Sequence, residues 1–221
     1  MTTTASGVTA RKMVSVRFLR TSNIPDRAMA AVHSGVSFIL DVSRAEIKIE
    51  DWRNGSTHPL DGFQTRSLIT FDHGFGYQVD ATKILSFARE ELARSPERHF
   101  MAMIIDRDLN DLSDMRFLDY ISGKGAPGFG FILSLARFNS IPGEAFLPFI
   151  RRMAAHEFGH ALGLVGWHRS NAAATHCSGE KGPCLMRKGD SVEMMAEQEL
   201  CPDCQDELRV MAPLKISDEI D

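Results

Sequence analysis

Residues 13–19, M-V-S-V-R-F-L, alternate apolar and polar side chains and predict a β-strand. After Pro25 and Asp26, apolar residues recur at Ala28, Met29, Val32, Val36, Ile39 and Leu40, the three-and-four spacing of a helix. Gly35 is the one unfavourable residue inside that stretch. Ala45, Ile47 and Ile49 alternate with Glu46, Lys48 and Glu50 and predict a short half-buried strand. Asn54-Gly55, Pro59 and Asp61-Gly62 mark 51–66 as loop, and a short strand is expected at 67–71. Asp80 is suited to cap a helix running to about Arg94, with Ile84, Leu85, Ala88 and Leu92 as its buried stripe and Pro96 as its stop. The apolar run at 100–105 predicts a buried strand. A Gly-rich segment, 123–130, leads into a further strand at 131–138, and a long helix is expected at about 144–164. This order predicts an α/β (α+β) fold, a mixed sheet backed by helices, with a cysteine-bearing C-terminal module.

Composition narrows the function. Of 221 residues, 43% are hydrophobic, enough for one good core, and the net charge of −4 gives no basic field for nucleic acid or an anionic membrane. No apolar run reaches the roughly 18 residues of a membrane span. The first residues, 1–12, are small and polar and are expected to be flexible; they carry no apolar stretch of the kind a signal peptide needs. All four cysteines, Cys177, Cys184, Cys201 and Cys204, fall in one window near the C-terminus. Clustered thiols of this kind point to metal in a reducing compartment, so a cytoplasmic location is expected; the chain is expected to be a monomer.

The segment H-E-F-G-H-A-L-G supplies the candidate chemistry: His156, Glu157, His160 and Gly163. Four residues on a helix is about 40° of rotation and one turn of rise, so both imidazoles leave one face and can share a metal. Glu157, beside His156, is the candidate general base toward a zinc-activated water. With 8 histidines in the chain, chance supplies only about 0.02 such matches, which disfavours two unrelated surface histidines.

From His156 onward, the motif continues through His176-Cys177, Cys184-Leu185-Met186 and Cys201-Pro202-Asp203-Cys204. This resembles the archaemetzincins, a family of the metzincin clan of zinc metallopeptidases, with H-E-x-x-H-x-x-G-x-x-H-C, then C-x-M, then C-x-x-C. Asp106-Arg107-Asp108-Leu109 and Ser134-Leu135-Ala136-Arg137-Phe138 are similar to family segments as well. The resemblance is strongest over roughly residues 100–210. It implies a metzincin-like, mostly parallel mixed sheet with backing and active-site helices, and a small zinc-bound C-terminal subdomain. It implies a metallopeptidase acting on a peptide or protein substrate, with Met186 as a hydrophobic floor beneath the metal.

One departure concerns the third histidine. The family pattern reaches it three residues after the glycine, where this chain has Gly166. His168 and His176 are the two candidates beyond; His176 is favoured because it keeps the His-Cys pair and its link to Cys184-Leu185-Met186. Arg169, Ser170 and Asn171 would then belong to an inserted loop at the mouth of the cleft. Cys177-x6-Cys184 with Cys201-x2-Cys204 suits a closed four-thiolate structural zinc; the alternatives are free thiols, entry of His168 or His176 into this site at the expense of the first zinc, and a Cys201–Cys204 redox pair. The expected cofactors are therefore two Zn²⁺, one catalytic and one structural. The expected division is 1–12 as N-terminus, 13–166 as catalytic body and 167–221 as C-terminal subdomain.

Lesser signals are read as structural. Asp106-x-Asp108-x-Asn110 lacks the Gly and Glu of a calcium loop and reads as a solvated loop with helix-capping groups. The 123–130 segment lacks the Lys-Ser/Thr of a phosphate loop and reads as a mobile loop at the cleft rim. The strand at 131–138 is expected to form the upper edge of the cleft. Two other functions fit the same residues: a zinc amidase or hydrolase of small substrates, and a catalytically silent zinc-binding interaction protein, against which the presence of Glu157 argues.

Overall fold

The computed structural model describes residues 13–50, 60–61, 68–70, 77–93, 99–111, 120–138, 141, 143–165, 172–173, 176–180, 182–188 and 199–217. The expectations for 1–12, for His168 and for the 169–171 loop lie outside these residues.

The first unit is β1 (Met13–Arg20), α1 (Asp26–Ser43) and β2 (Glu46–Glu50), with β1 and β2 parallel. Two short strands, β3 (Leu68–Thr70) and β4 (Tyr77–Asp80), form an antiparallel pair, and β6 (Leu109–Asn110) joins β4 in parallel. Helix α2 (Ala81–Ala93) starts where expected: Asp80 Oδ1 accepts the N–H groups of Thr82 at 2.9 Å and Lys83 at 3.3 Å. The main sheet is completed by β5 (Phe100–Ile105), β7 (Gly123–Ala126) and β8 (Gly130–Ser134), in the order β2-β1-β5-β8-β7. All its pairs are parallel except β7 on β8. The long helix α3 (Gly143–Ala161) follows, then the bridge pair β9 (Ala172–Ala173) and β10 (His176–Cys177), and finally α4 (Pro202–Ser217).

Strand β5 explains the layering. Its six residues are F-M-A-M-I-I, apolar throughout, because both faces are covered. Ala102 and Ile104 join Val16, Phe18, Val36, Ile150 and Phe158 in the core under α1 and α3. Met101, Met103 and Ile105 join Ile84, Leu85 and Ala88 of α2 in a second core on the other face. The described residues form a mixed α/β fold with a mostly parallel sheet and the four helices named. None of the described helices is long and apolar enough to cross a membrane.

Gly35 is where α1 crosses α3. A Cβ there would lie 2.2 Å from the Arg151 carbonyl oxygen and 3.0 Å from the Ala155 nitrogen, both backbone atoms that cannot swing aside. The residue that weakens the helix pattern is therefore the one that brings the helices together. Gly35→Leu should destabilise the protein by about 3 kcal/mol through overpacking, seen in thermal unfolding as a melting temperature lower by roughly 6–12 °C.

Three expectations are corrected. Residues 131–138 are not the sheet edge: β8 ends at Ser134 and lies between β5 and β7, so the edge strand is β7. The Gly-rich segment is not a mobile loop, since 123–126 is that strand and Gly128 donates to the Ala161 carbonyl at 2.7 Å. Among the described residues, Asp106 and Asp108 cap no helix. Asp106 accepts hydrogen bonds from Thr21 and Asn23, and Asp108 takes a bidentate pair with Arg137, whose guanidinium lies 3.9 Å over the Tyr120 ring. These contacts tie together the C-terminal ends of β1, β5 and β8.

Candidate functional site

Helix α3 carries the candidate catalytic residues, and the reason it ends where it does is local. Gly163 adopts a left-handed φ of 81°. Its N–H donates to the His160 carbonyl at 2.8 Å, and the Leu164 N–H donates to the Gly159 carbonyl at 2.9 Å. This is the paired C-terminal cap that only a residue free of Cβ strain adopts cheaply. The helix ends at Ala161, so His160 sits in its last turn.

His156 is buried and donates its Nδ1–H to the Leu185 carbonyl at 2.8 Å. Burial pushes both rings down in basicity, His156 well below its ordinary value and His160 to about 4, with charge repulsion among the histidines adding to the effect. Both are thus neutral rings, and the Leu185 carbonyl holds the single proton of His156. Their Nε2 atoms face each other 3.2 Å apart. Two ring nitrogens at that distance suit a shared cation.

His176 comes to the same place from a distant part of the chain. It lies in β10, paired antiparallel with β9, and its ring centroid is 5.3 Å from that of His156 and 5.1 Å from that of His160. One nitrogen from each of the three rings falls within 4.8 Å of the others. A tetrahedral zinc with nitrogen ligands at 2.0–2.1 Å requires them about 3.4 Å apart, close to the His156–His160 spacing. Met186 is fully buried against α3, and a Cβ on Gly159 would lie 2.6 Å from its sulfur.

Glu157 faces β7. A Cβ at Gly123 would lie 2.8 Å from its Cγ, and one at Gly125 would lie 2.5 Å from the Glu157 carbonyl oxygen and the His160 Cβ. Only glycines let the edge strand pass this close. The Ser134 N–H donates to the Ser122 carbonyl, so alternation along the ladder turns Lys124 and Ala126 toward β8 and the N–H and C=O groups of Gly123 and Gly125 toward the open edge. The Glu157 carboxyl lies against this strand, its Oε1 2.8 Å from where a Cβ on Gly123 would sit. Burial raises that carboxyl to about 8, against the opposing pull of Gly125 and of the Arg152 charge.

Arg152 escapes the sequence reading. It is 1% exposed, one turn before His156, and reaches the Leu185 carbonyl that His156 also uses. An arginine on the buried stripe of a histidine-bearing helix is the signal that would have found it. The glycine pair of β7 was visible as G-K-G but carried no strand pattern, because glycine has no side chain to alternate.

The four cysteines form a second cluster, all buried and none in a disulfide. Cys177 Sγ lies 3.7 Å from Cys201 Sγ, and Cys184 Sγ lies 3.6 Å from Cys204 Sγ. All four sulfurs fall within 4.8 Å of one another. The edge of a tetrahedron with metal–sulfur bonds of 2.3 Å is about 3.8 Å, so the thiols fit zinc as they stand. The Cys204 thiol draws Cys184 down to about 5, while burial raises Cys177 to about 11. The two clusters share a wall: the Cys177 N–H donates to the Met186 carbonyl at 3.0 Å, and Cys177 follows His176 directly.

A mixed sheet whose glycine edge strand lies on a His-x3-His helix, beside a thiol tetrahedron, defines an α/β fold with two metal-type clusters. No family model matches the sequence, and no curated protein matches it either. Among solved structures, the archaemetzincin of Methanopyrus kandleri matches with a TM-score of 0.61 at 18% identity, covering 93% of this chain and 97% of that one. The archaemetzincin of Archaeoglobus fulgidus, complexed with malonate, matches with a TM-score of 0.53 at 18% identity, covering 88% of this chain and 99% of that one. The fold of this chain is archaemetzincin-like.

Proposed function

We propose that this protein is a zinc-dependent metallopeptidase, with His156, His160 and His176 holding a catalytic zinc and Cys177, Cys184, Cys201 and Cys204 holding a structural one. The observation that carries the reading is the convergence of three imidazoles within 4.8 Å beside a buried carboxyl. Zinc bound there supplies Lewis acidity toward a carbonyl oxygen and a nucleophilic water at neutral pH. Glu157 takes the proton from the nucleophile and returns it to the leaving amine. An extended peptide pairs with the open edge of β7, where Gly123 and Gly125 offer backbone groups. The thiol site is closed, with no open position, which fits a structural role. In this reading 13–166 is the catalytic body, and 167–221 is a subdomain bringing the third histidine, Met186 and the thiols. Reduced cysteines accord with a cytoplasmic location.

Zinc analysis paired with digestion of a peptide library tests this. The expected result is two zinc ions per chain and a defined set of cleaved peptides that a chelator suppresses. Cleavage of small amides alone would make the protein an amidase. Two zinc ions with no hydrolysis of either would make it a binding protein.

A further inference from the structure

The histidine cluster is assembled from two parts of the chain, and the thiol cluster carries one of them. Helix α3 sets the backbone of His156 and His160. It does not set the plane of the His156 ring, because the torsion that turns an imidazole is broad and soft. That plane is turned by a bond from Nδ1 to the Leu185 carbonyl at 2.8 Å. Leu185 follows Cys184 directly, and its own N–H donates to the Glu199 carbonyl at 2.7 Å, two residues before Cys201. The Arg187 N–H closes a turn on the Cys184 carbonyl at 3.0 Å. The third ring, His176, adjoins Cys177, whose N–H donates to the Met186 carbonyl at 3.0 Å. So the group that orients His156 and the backbone that delivers His176 each sit beside a cysteine of the cluster, and they are bonded to one another. The four sulfurs are buried and pair at 3.6 and 3.7 Å. As thiols they make only weak hydrogen bonds. As thiolates around a cation they are held to one point, and the energy of holding them is folding energy for the segments that carry them.

We propose that the two clusters are coupled: metal in the thiol cluster sets the histidine cluster for its own metal, through the Leu185 carbonyl onto His156 and through Cys177 onto His176. Filling is then ordered, thiols first. With the thiols empty, the histidine site should bind metal about 10- to 100-fold more weakly, the usual effect of losing an outer hydrogen-bond partner of a ligand and an ordinary size for coupling between two sites. This inference rests on the metal-centre reading above.

Cobalt(II) titration of the metal-free full chain tests it, because thiolate and imidazole sites give distinct absorption bands. In the wild type the thiolate band should be complete before the imidazole band rises. Cys201 and Cys204 lie outside the segments that carry Leu185 and His176. The double variant Cys201→Ser, Cys204→Ser therefore empties the thiol site without altering those segments. It should lose the thiolate band and need about 10- to 100-fold more cobalt to fill the imidazole band, with its helices retained by circular dichroism. Wild-type imidazole-site affinity in that variant would overturn the proposal. A second measurement uses the unaltered chain and decides alone if the variant does not fold. One equivalent of zinc should bring the His156 Nδ1–H proton into slow exchange by NMR, before a second equivalent fills the histidines. That resonance already present without metal, or appearing only with the second equivalent, would overturn the proposal. Wild-type protein that binds cobalt only at the thiolates would overturn the metal-centre reading, and this inference with it.

Discussion

Glu157→Gln should lower kcat/KM on a cleaved peptide by about 10² to 10⁴-fold, the range for loss of a general base, while zinc content stays unchanged. The residue is buried against the glycines of β7, so an amide of the same shape fills the same space. No packing is lost and no cavity opens. What disappears is a group able to take and return a proton, worth roughly 3–5 kcal/mol of barrier at that fold-change. Steady-state kinetics with elemental analysis on the same preparation check both halves. Turnover at the wild-type rate would show that Glu157 is not the base, and loss of zinc would show that it is a ligand.

His176→Ala should reduce zinc from two per chain to one and bring hydrolysis to background. The three rings surround one point, and two histidines four residues apart leave a tetrahedral site short of a protein ligand. The damage should stay confined. The backbone bond from Cys177 to Met186 does not use the His176 side chain, and the thiols keep their spacing. One remaining zinc, bound by thiolates, is therefore expected, with thermal stability close to that of the wild type. His168→Ala should retain both zinc ions. The opposite pattern in the two variants would exchange their roles.

The elements legible from sequence are those whose pattern is local. Strand β5 reads directly because both its faces are apolar, and α2 reads because Asp80 caps a clear three-and-four stripe. Strand β4 was missed because its buried residues include Gln78 and Asp80, whose burial is offset by hydrogen bonds such as that from Asn110 Nδ2 to Gln78 Oε1 at 3.0 Å. Helix α4 was missed because its described buried side is narrow, Cys204 and Leu208, and Pro213 interrupts its pattern.

The same division holds at the site. By itself the sequence determined that His156, Glu157 and His160 share a helix, since 3.6 residues per turn sets their spacing. It carried that helix on to about 164, whereas the structure ends it at Ala161, where Gly163 takes a left-handed cap. Only the tertiary structure decided that His176 joins the pair, that β7 and not β8 is the edge, that Gly125 meets Glu157, and that Glu207 reaches the Val165 N–H. Each of those contacts joins residues whose separation along the chain says nothing about their distance. They form because burying two cores, one on each face of the sheet, leaves the chain one way to bring β7, β10 and α4 around the end of α3.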